Sequence, residues 1–304
     1  MEIKTYMYNI IGKKYAFLGL STLLLVAALF AIGTYGLKEG IDFRGGTSWQ
    51  VRLAQNPAPE AVSALLTKEF KLQEAVAIAE PSTQSVILRL PELTETLHAE
   101  YRATLEKNFG TVTELNYETI GPAIGNELRA KALWAFLGVI LTISLYIAFA
   151  FRQVSRPVSS WKYGIVTLGT LFHDALIPLG LIAYLGHTRG VEINTNSIVA
   201  ILVIIGFSVH DTIVVFDRIR ENLRLEKSPS FNFSELVNRS MNQTMIRSLN
   251  TSLTLALTLA ALLLFGPSNL FYFVLTILVG VVVGTYSSIF IASPLLTLWN
   301  RSRA

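Results

Sequence analysis

The sequence predicts a multi-pass α-helical membrane protein, with six transmembrane helices and one ferredoxin-like α+β extracytoplasmic domain between the first and second. Three observations carry that reading. Of 304 residues, 52% are hydrophobic and only 15% charged, where a soluble domain carries about 25% charge. Six apolar runs are long enough to cross a hydrocarbon core of about 30 Å at 1.5 Å per residue. Between the first two, residues 37–130 lose that character and take up strand and helix periods instead. This composition excludes a disordered chain, which needs low hydrophobicity and high net charge. There is no cysteine, hence no disulfide, thiolate nucleophile or thiolate metal site, and the redox compartment stays open.

Residues 1–15 form a cytoplasmic N-terminus carrying Lys4, Lys13 and Lys14, and residues 16–36 are the first transmembrane helix. Ala31-Ile32-Gly33 loosely imitates a cleavage site, but a signal-peptide core runs only about 7–15 residues, so a retained anchor fits better. In the insert, 37–130, Trp49, Val51 and Leu53 alternate with Ser48, Gln50 and Arg52, which predicts a half-buried strand over 47–53. Pro59 opens a helix over 60–70 with Ala61, Leu65 and Leu66 in helical spacing. Strands over 72–79 and 85–90 join at Pro81-Ser82-Thr83, Thr94 caps a helix running to 109, and 111–120 alternates again. That βαββαβ order matches a split βαβ module. Four of the five remaining spans, over 132–151, 163–185, 197–216 and 249–265, are of ordinary length. The fifth, over 270–298, is long enough to tilt, and together they make a five-helix bundle over 131–299 with a cytoplasmic tail over 300–304.

Lys and Arg collect on one side of this plan. The N-terminus, the loop with Arg152, Arg156 and Lys162, the loop with Arg218, Arg220, Arg224, Lys227 and Arg239, and the tail with Arg301 and Arg303 alternate with basic-poor loops. Both termini are therefore expected in the cytoplasm and the insert outside. The insert holds 9 basic and 13 acidic residues, a net of −4. The chain's overall charge of +4 is thus a topology signal, and a nucleic-acid partner has no support; membrane lipid is the expected surround.

Ionisable groups inside spans are costly and mark functional positions. Asp211 lies six residues, about 9 Å, inside Asp217 on the fourth span; it reads either as a proton carrier or as a static carboxylate pinned to a neighbouring helix. Arg247, Thr251, Thr254 and Thr258 follow one another at helical spacing on the fifth span, a face continued backwards by Thr244 and Ser240. Lipid would not tolerate that face, so it is expected to look into the bundle or a hydrated path, with Arg247 as partner of Asp211; the alternative is an Arg247 that snorkels to the interface. His173 and Asp174, mid-way along the third span, belong either to the same polar network or to structural work, and His210 beside Asp211 is open in the same way. Gly280, Gly284 and Ser287 form a small-residue face for close helix packing. No phosphate loop, metal motif or nucleophile–base pair appears. The chain is therefore not expected to be an enzyme, and no cofactor is expected beyond a coupling ion, H⁺ with Na⁺ not excluded.

Three segments together resemble the SecD/SecF family of protein-export membrane proteins, on its SecF side, within the resistance-nodulation-division superfamily. They are Gly40-Ile41-Asp42-Phe43-Arg44-Gly45-Gly46-Thr47, the stretch from Gly206-Phe207-Ser208-Val209-His210-Asp211 through Asp217-Arg218-Ile219-Arg220-Glu221-Asn222, and Arg247-Ser248-Leu249-Asn250-Thr251-Ser252. His173-Asp174 fits too, and the similarity runs end to end. The family more often carries a neutral amide where this chain has His210, which adds a titratable group. The resemblance implies a bacterial inner-membrane subunit that pairs with SecD, acts at the SecYEG channel on a translocating unfolded polypeptide, and draws on the proton motive force. It also implies Asp211 as the proton-binding carboxylate and Arg247 as its switching partner. Gly40, Gly45 and Gly46 would then be a hinge to the exported domain, or else a tight turn into its first strand. Two rival readings stay open: a stand-alone proton-coupled exporter of lipids or small molecules, and a passive assembly factor in which Asp211 is structural.

Overall fold

A computed structural model describes residues 8–72, 75–80, 83–152, 158–228 and 231–300. Lys4, Arg156, Arg301 and Arg303, and Pro81 and Ser82 of the expected turn, lie outside them. The chain divides into two units, Glu39–Leu133 and the pair of segments Met1–Lys38 and Trp134–Ala304.

In the first unit, α2 (Ile41–Arg44) leads into β1 (Gly46–Leu53), α3 (Pro59–Phe70), β2 (Val76–Glu80), β3 (Ser85–Leu90), α4 (Glu95–Phe109) and β4 (Val112–Ile120). The sheet order is β2-β3-β1-β4 with every pair antiparallel, which is the split βαβ arrangement. Alternation sets its faces: Trp49, Val51 and Leu53 of β1 and Val86, Leu88 and Leu90 of β3 enter the core with Val62 and Leu66 of α3 and Tyr101 and Leu105 of α4. The Thr94 hydroxyl accepts from the Leu97 N–H and starts α4 as expected. β2 begins at Val76, after a left-handed Lys71 ends α3 and Leu72 stays unpaired; residues 73–74 of the expected strand lie outside the described residues.

Gly45 and Gly46 are required by backbone geometry. Their φ values are +77° and +126°, and a Cβ would stand 2.8 Å from the Pro122 Cα at Gly45 and 2.8 Å from the Leu90 carbonyl oxygen at Gly46. Gly40 has φ −76° and carries no such demand. Gly45→Ala is expected to destabilise the Glu39–Leu133 unit by at least about 1 kcal/mol through left-handed strain and the clash with Pro122. Urea unfolding followed by circular dichroism checks this, and an unchanged midpoint would contradict it.

Among the described residues, six helices are long and apolar enough to cross a membrane. They are α1 (Lys14–Tyr35) with a preceding 3₁₀ turn, α5 (Pro122–Ala150), α6 (Ser160–Arg189), α7 (Thr195–Leu225), α8 (Phe233–Phe265) and a composite sixth span. That span is α9 (Phe271–Ser287), a π-helical segment over Ser288–Ala292 and α10 (Ser293–Asn300). α7 starts at a capping box in which Asn194 and Ser197 satisfy each other's backbone N–H. α8 starts at Asn232, whose carboxamide oxygen accepts from Ser234 and Glu235 N–H. It begins well before the apolar run expected over 249–265, because its first turns bury Phe233, Leu236, Val237 and Met241 while showing polar residues elsewhere. Asn238 on that stretch accepts from the Ile10 and Ile11 N–H groups and donates to the Tyr8 carbonyl, fastening the N-terminal segment.

Small residues set the closest approaches. Gly180 of α6 meets Ala28 of α1, Gly164 of α6 meets the Ser144 carbonyl of α5, and Gly280 and Gly284 of α9 meet Ile204 and Ser208 of α7. α7 and α9 are therefore pressed together along the turns that precede Asp211.

Candidate functional site: two buried carboxylates in the helix unit

Asp211 sits on α7 with only 2% of its surface exposed. Its carboxylate accepts from Ser252 Oγ of α8 at 3.3 Å, and Ser252 Oγ in turn accepts from Thr285 Oγ1 of α9 at 2.6 Å. Each hydroxyl carries one hydrogen. Ser252 therefore divides its donation between Asp211 and the Ser248 carbonyl at 2.8 Å, and Thr285 divides its own between Ser252 and the Val281 carbonyl at 2.7 Å. Thr212 Oγ1 and Ser248 Oγ are buried with no hydrogen-bond partner among the described residues. Buried polar groups of this kind are ordinarily met by water. Asp211 is thus held by a hydroxyl relay spanning three helices.

Arg247 does not join this relay. It lies on the outer face of α8 and makes no ion pair among the described residues. The reason is helical phase: Arg247 and Ser252 are five residues apart, about 140° around the helix. Arg247 lines an open groove of about 520 Å³ between α7 and α8, with Asp217, Arg218, Glu221, Gln243 and Thr244. Inside this groove Arg218 donates to Gln243 and to Glu221, each at 2.6 Å.

The polar stripe divides in the same way. Ser240 and Thr244 turn inward, whereas Thr251, Thr254 and Thr258 face outward and satisfy their hydroxyls on carbonyls of their own helix. The outer part of the stripe therefore looks away from this chain's own helices, whereas the sequence predicts a face turned into the bundle or a hydrated path. His210 is on the outer surface as well.

The second carboxylate, Asp174 on α6, is 0% exposed. One oxygen meets His173 Nδ1 at 2.8 Å. The other accepts from Ser287 Oγ of α9 at 2.6 Å and from Ser208 Oγ of α7. His173 Nε2 lies 2.7 Å from Ser21 Oγ of α1. His173 and Asp174 thus share a network with each other and three serines, and no hydrogen bond joins that network to Asp211 among the described residues. Spacing alone marks none of Ser21, Ser208, Ser252 and Thr285 as a ligand, and marks Ser287 only as a packing residue. Ser208 lies one helix turn before Asp211 and Ser287 one turn after Gly284, whereas Ser21, Ser252 and Thr285 carry no such spacing. Among the described residues no group of His, Cys, Asp and Glu could hold a metal ion.

Comparison with known proteins agrees with this architecture. Residues 100–302 match the family "Protein export membrane protein SecD/SecF, C-terminal", and residues 30–57 match the "SecD/SecF GG Motif". The chain is 42% identical to Protein translocase subunit SecF of Thermobaculum terrenum, covering 97% of this chain and 94% of that one. It is 38% identical to Protein translocase subunit SecDF of Thermus thermophilus, covering 92% of this chain but 37% of that longer one. The crystal structure of SecDF, described as a translocon-associated membrane protein, superposes with a TM-score of 0.85 at 35% identity, covering 99% of this chain and 40% of that one. A six-span helical chain with a βαββαβ domain after its first span, matched over nearly its whole length, belongs to the SecD/SecF family of protein-export membrane proteins.

Proposed function

We propose that this chain is the SecF-like subunit of a SecDF accessory complex of the Sec export machinery. It would use the proton motive force to promote late translocation and release of exported proteins, in a bacterial inner membrane with both termini in the cytoplasm. The observation that supports this best is the outward polar face of α8. Thr251, Thr254 and Thr258 continue outward from Arg247 as an exposed polar face of the helix unit, and polar side chains on spans favour a neighbouring helix over lipid. A second subunit covering that face resolves the conflict, and relatives named SecDF carry additional chain beyond the part matched here. SecD is the proposed partner, with SecYEG and the translocating polypeptide met through the assembled complex.

Within it, Asp211 would be the proton-binding carboxylate. When ionised it attracts the Ser252 hydroxyl; when protonated it loses that pull, and Ser252 can return to the Ser248 carbonyl. The relative stability of two α7–α8–α9 arrangements changes accordingly. Arg247 would be the switching cation at the covered face. The proposed role is non-enzymatic, with H⁺ as the coupling ion. Copurification from membranes tests the subunit reading: a SecD-type chain recovered in equal amount is expected. Recovery as a homo-oligomer with no such chain would favour a self-contained exporter.

A further inference from the structure

We propose that His173 and Asp174 form a second proton-holding site of this chain, separate from Asp211, whose occupancy is read out where α1 meets α9. The pair lies inside the helix unit, with Asp174 0% and His173 5% exposed. Three donors converge on the carboxylate: His173 Nδ1 on one oxygen, Ser208 and Ser287 hydroxyls on the other. That is the surrounding of an ionised acceptor. Among the described residues the only group in the network able to carry positive charge is His173 itself.

Counting hydrogens gives the two states. Nδ1 keeps its hydrogen on Asp174, so Nε2 is the position that gains or loses one. With Nε2 bare, the pair carries one negative charge and Nε2 accepts the Ser21 hydroxyl at 2.7 Å. When a proton from solvent binds Nε2, the pair is neutral overall, and Nε2–H now donates to Ser21 Oγ. The Ser21 hydrogen must then turn away. In a helix its natural acceptor is the carbonyl four residues back, which is Phe17, and that carbonyl already accepts the Tyr286 hydroxyl at 2.6 Å. One proton on the pair therefore rearranges the hydrogen bonding that joins α1 to α9.

Tyr286 stands immediately before Ser287, and Ser287 opens into the π-helical segment Ser288–Ala292. A π turn inside an α-helix marks a place where the helix can change register. The proton site, its reporter contact and an irregular helix thus follow one another along the sixth span. The other titratable groups on the elements packed here do not bond to the pair. Lys14 of α1 donates to Thr297, Asp211 of α7 accepts from Ser252, His210 faces outward, Tyr286 donates to Phe17, and Tyr163 of α6 has no hydrogen-bond partner among the described residues.

The site itself stands on this geometry; only its use in transport rests on the proton-coupled reading above. The test is pH-difference infrared spectroscopy of the full chain assembled with its partner in lipid vesicles. Wild type, Asp211→Asn, His173→Gln and Ser21→Ala are compared. The imidazole band assigned to His173 is expected to persist in Asp211→Asn and to be lost in His173→Gln. Ser21→Ala, a small change that removes the Nε2 partner alone, is expected to move that band's midpoint along the pH axis. Identical difference spectra with and without His173 would overturn the proposal, and an unmoved midpoint in Ser21→Ala would overturn the readout at α1. Release assays on the same vesicles separate the two readings. If Asp211→Asn leaves gradient-driven release intact while the His173 band persists, the transport reading fails and the site stands. The reverse result removes the site alone.

Discussion

Asp211→Asn is expected to abolish the gradient-dependent part of exported-protein release while leaving assembly and the gradient-independent part intact. Asparagine keeps the shape of the side chain and an oxygen for the Ser252 hydroxyl, so the relay through Ser252 and Thr285 can still form. What it removes is the capacity to change charge. One proton crossing 100 mV carries about 2.3 kcal/mol, comparable with the free-energy differences that separate two helix arrangements. A site that cannot load the proton delivers none of this. The measurement is release of a secretory protein from inverted or reconstituted vesicles with and without a proton gradient, both versions being assembled with their partner. Unchanged release would make Asp211 scaffolding.

The largest stability effect is expected at Trp49. Its side chain is fully buried in β1, registered between Leu88 of β3 and Tyr117 of β4. Its ring lies edge-on to His98 at 4.6 Å and to Tyr117 at 6.3 Å between centroids. Truncating a buried tryptophan to alanine costs about 3–5 kcal/mol, and a domain of this size has only about 5–15 kcal/mol in all. Trp49→Ala is therefore expected to make the Glu39–Leu133 unit susceptible to limited proteolysis at protease levels that spare wild type, with the helical spans still resistant. Equal resistance of both proteins would mean that the core tolerates the cavity.

The sequence makes some of this structure plain and hides the rest for definite reasons. Alternation at Trp49, Val51 and Leu53 announces β1, because a strand with one face in a core has no other way to sort its side chains. Thr94 announces α4 through a cap that needs only local chain. Asp211 and Asp174 stand out because a carboxylate among apolar residues has few benign explanations. Their partners are silent: Ser21, Ser208, Ser252 and Ser287 are small helix residues like many others, and only the rotation of each helix about its axis makes them ligands. Rotation is set by contacts distant in sequence, such as Gly284 against Ser208 and Gly180 against Ala28. For the same reason the spacing of Arg247, Thr251 and Thr254 defines a stripe but not its direction. The π-helical segment is equally hidden, since Ser288–Ala292 has no proline or glycine to signal it.

The outward stripe on α8 also bears on how many copies of this protein a cell can keep. A subunit inserted without a mate would leave Thr251, Thr254 and Thr258 facing lipid and Arg247 without a covering partner, at a cost on the order of 1–2 kcal/mol. A shift of that size changes the standing proportion of correctly inserted, protease-resistant molecules several-fold. Unmated copies would be cleared preferentially and mated ones spared. One polar helix face would then act as a gauge of subunit balance, matching the amount of this chain to the amount of whatever covers it.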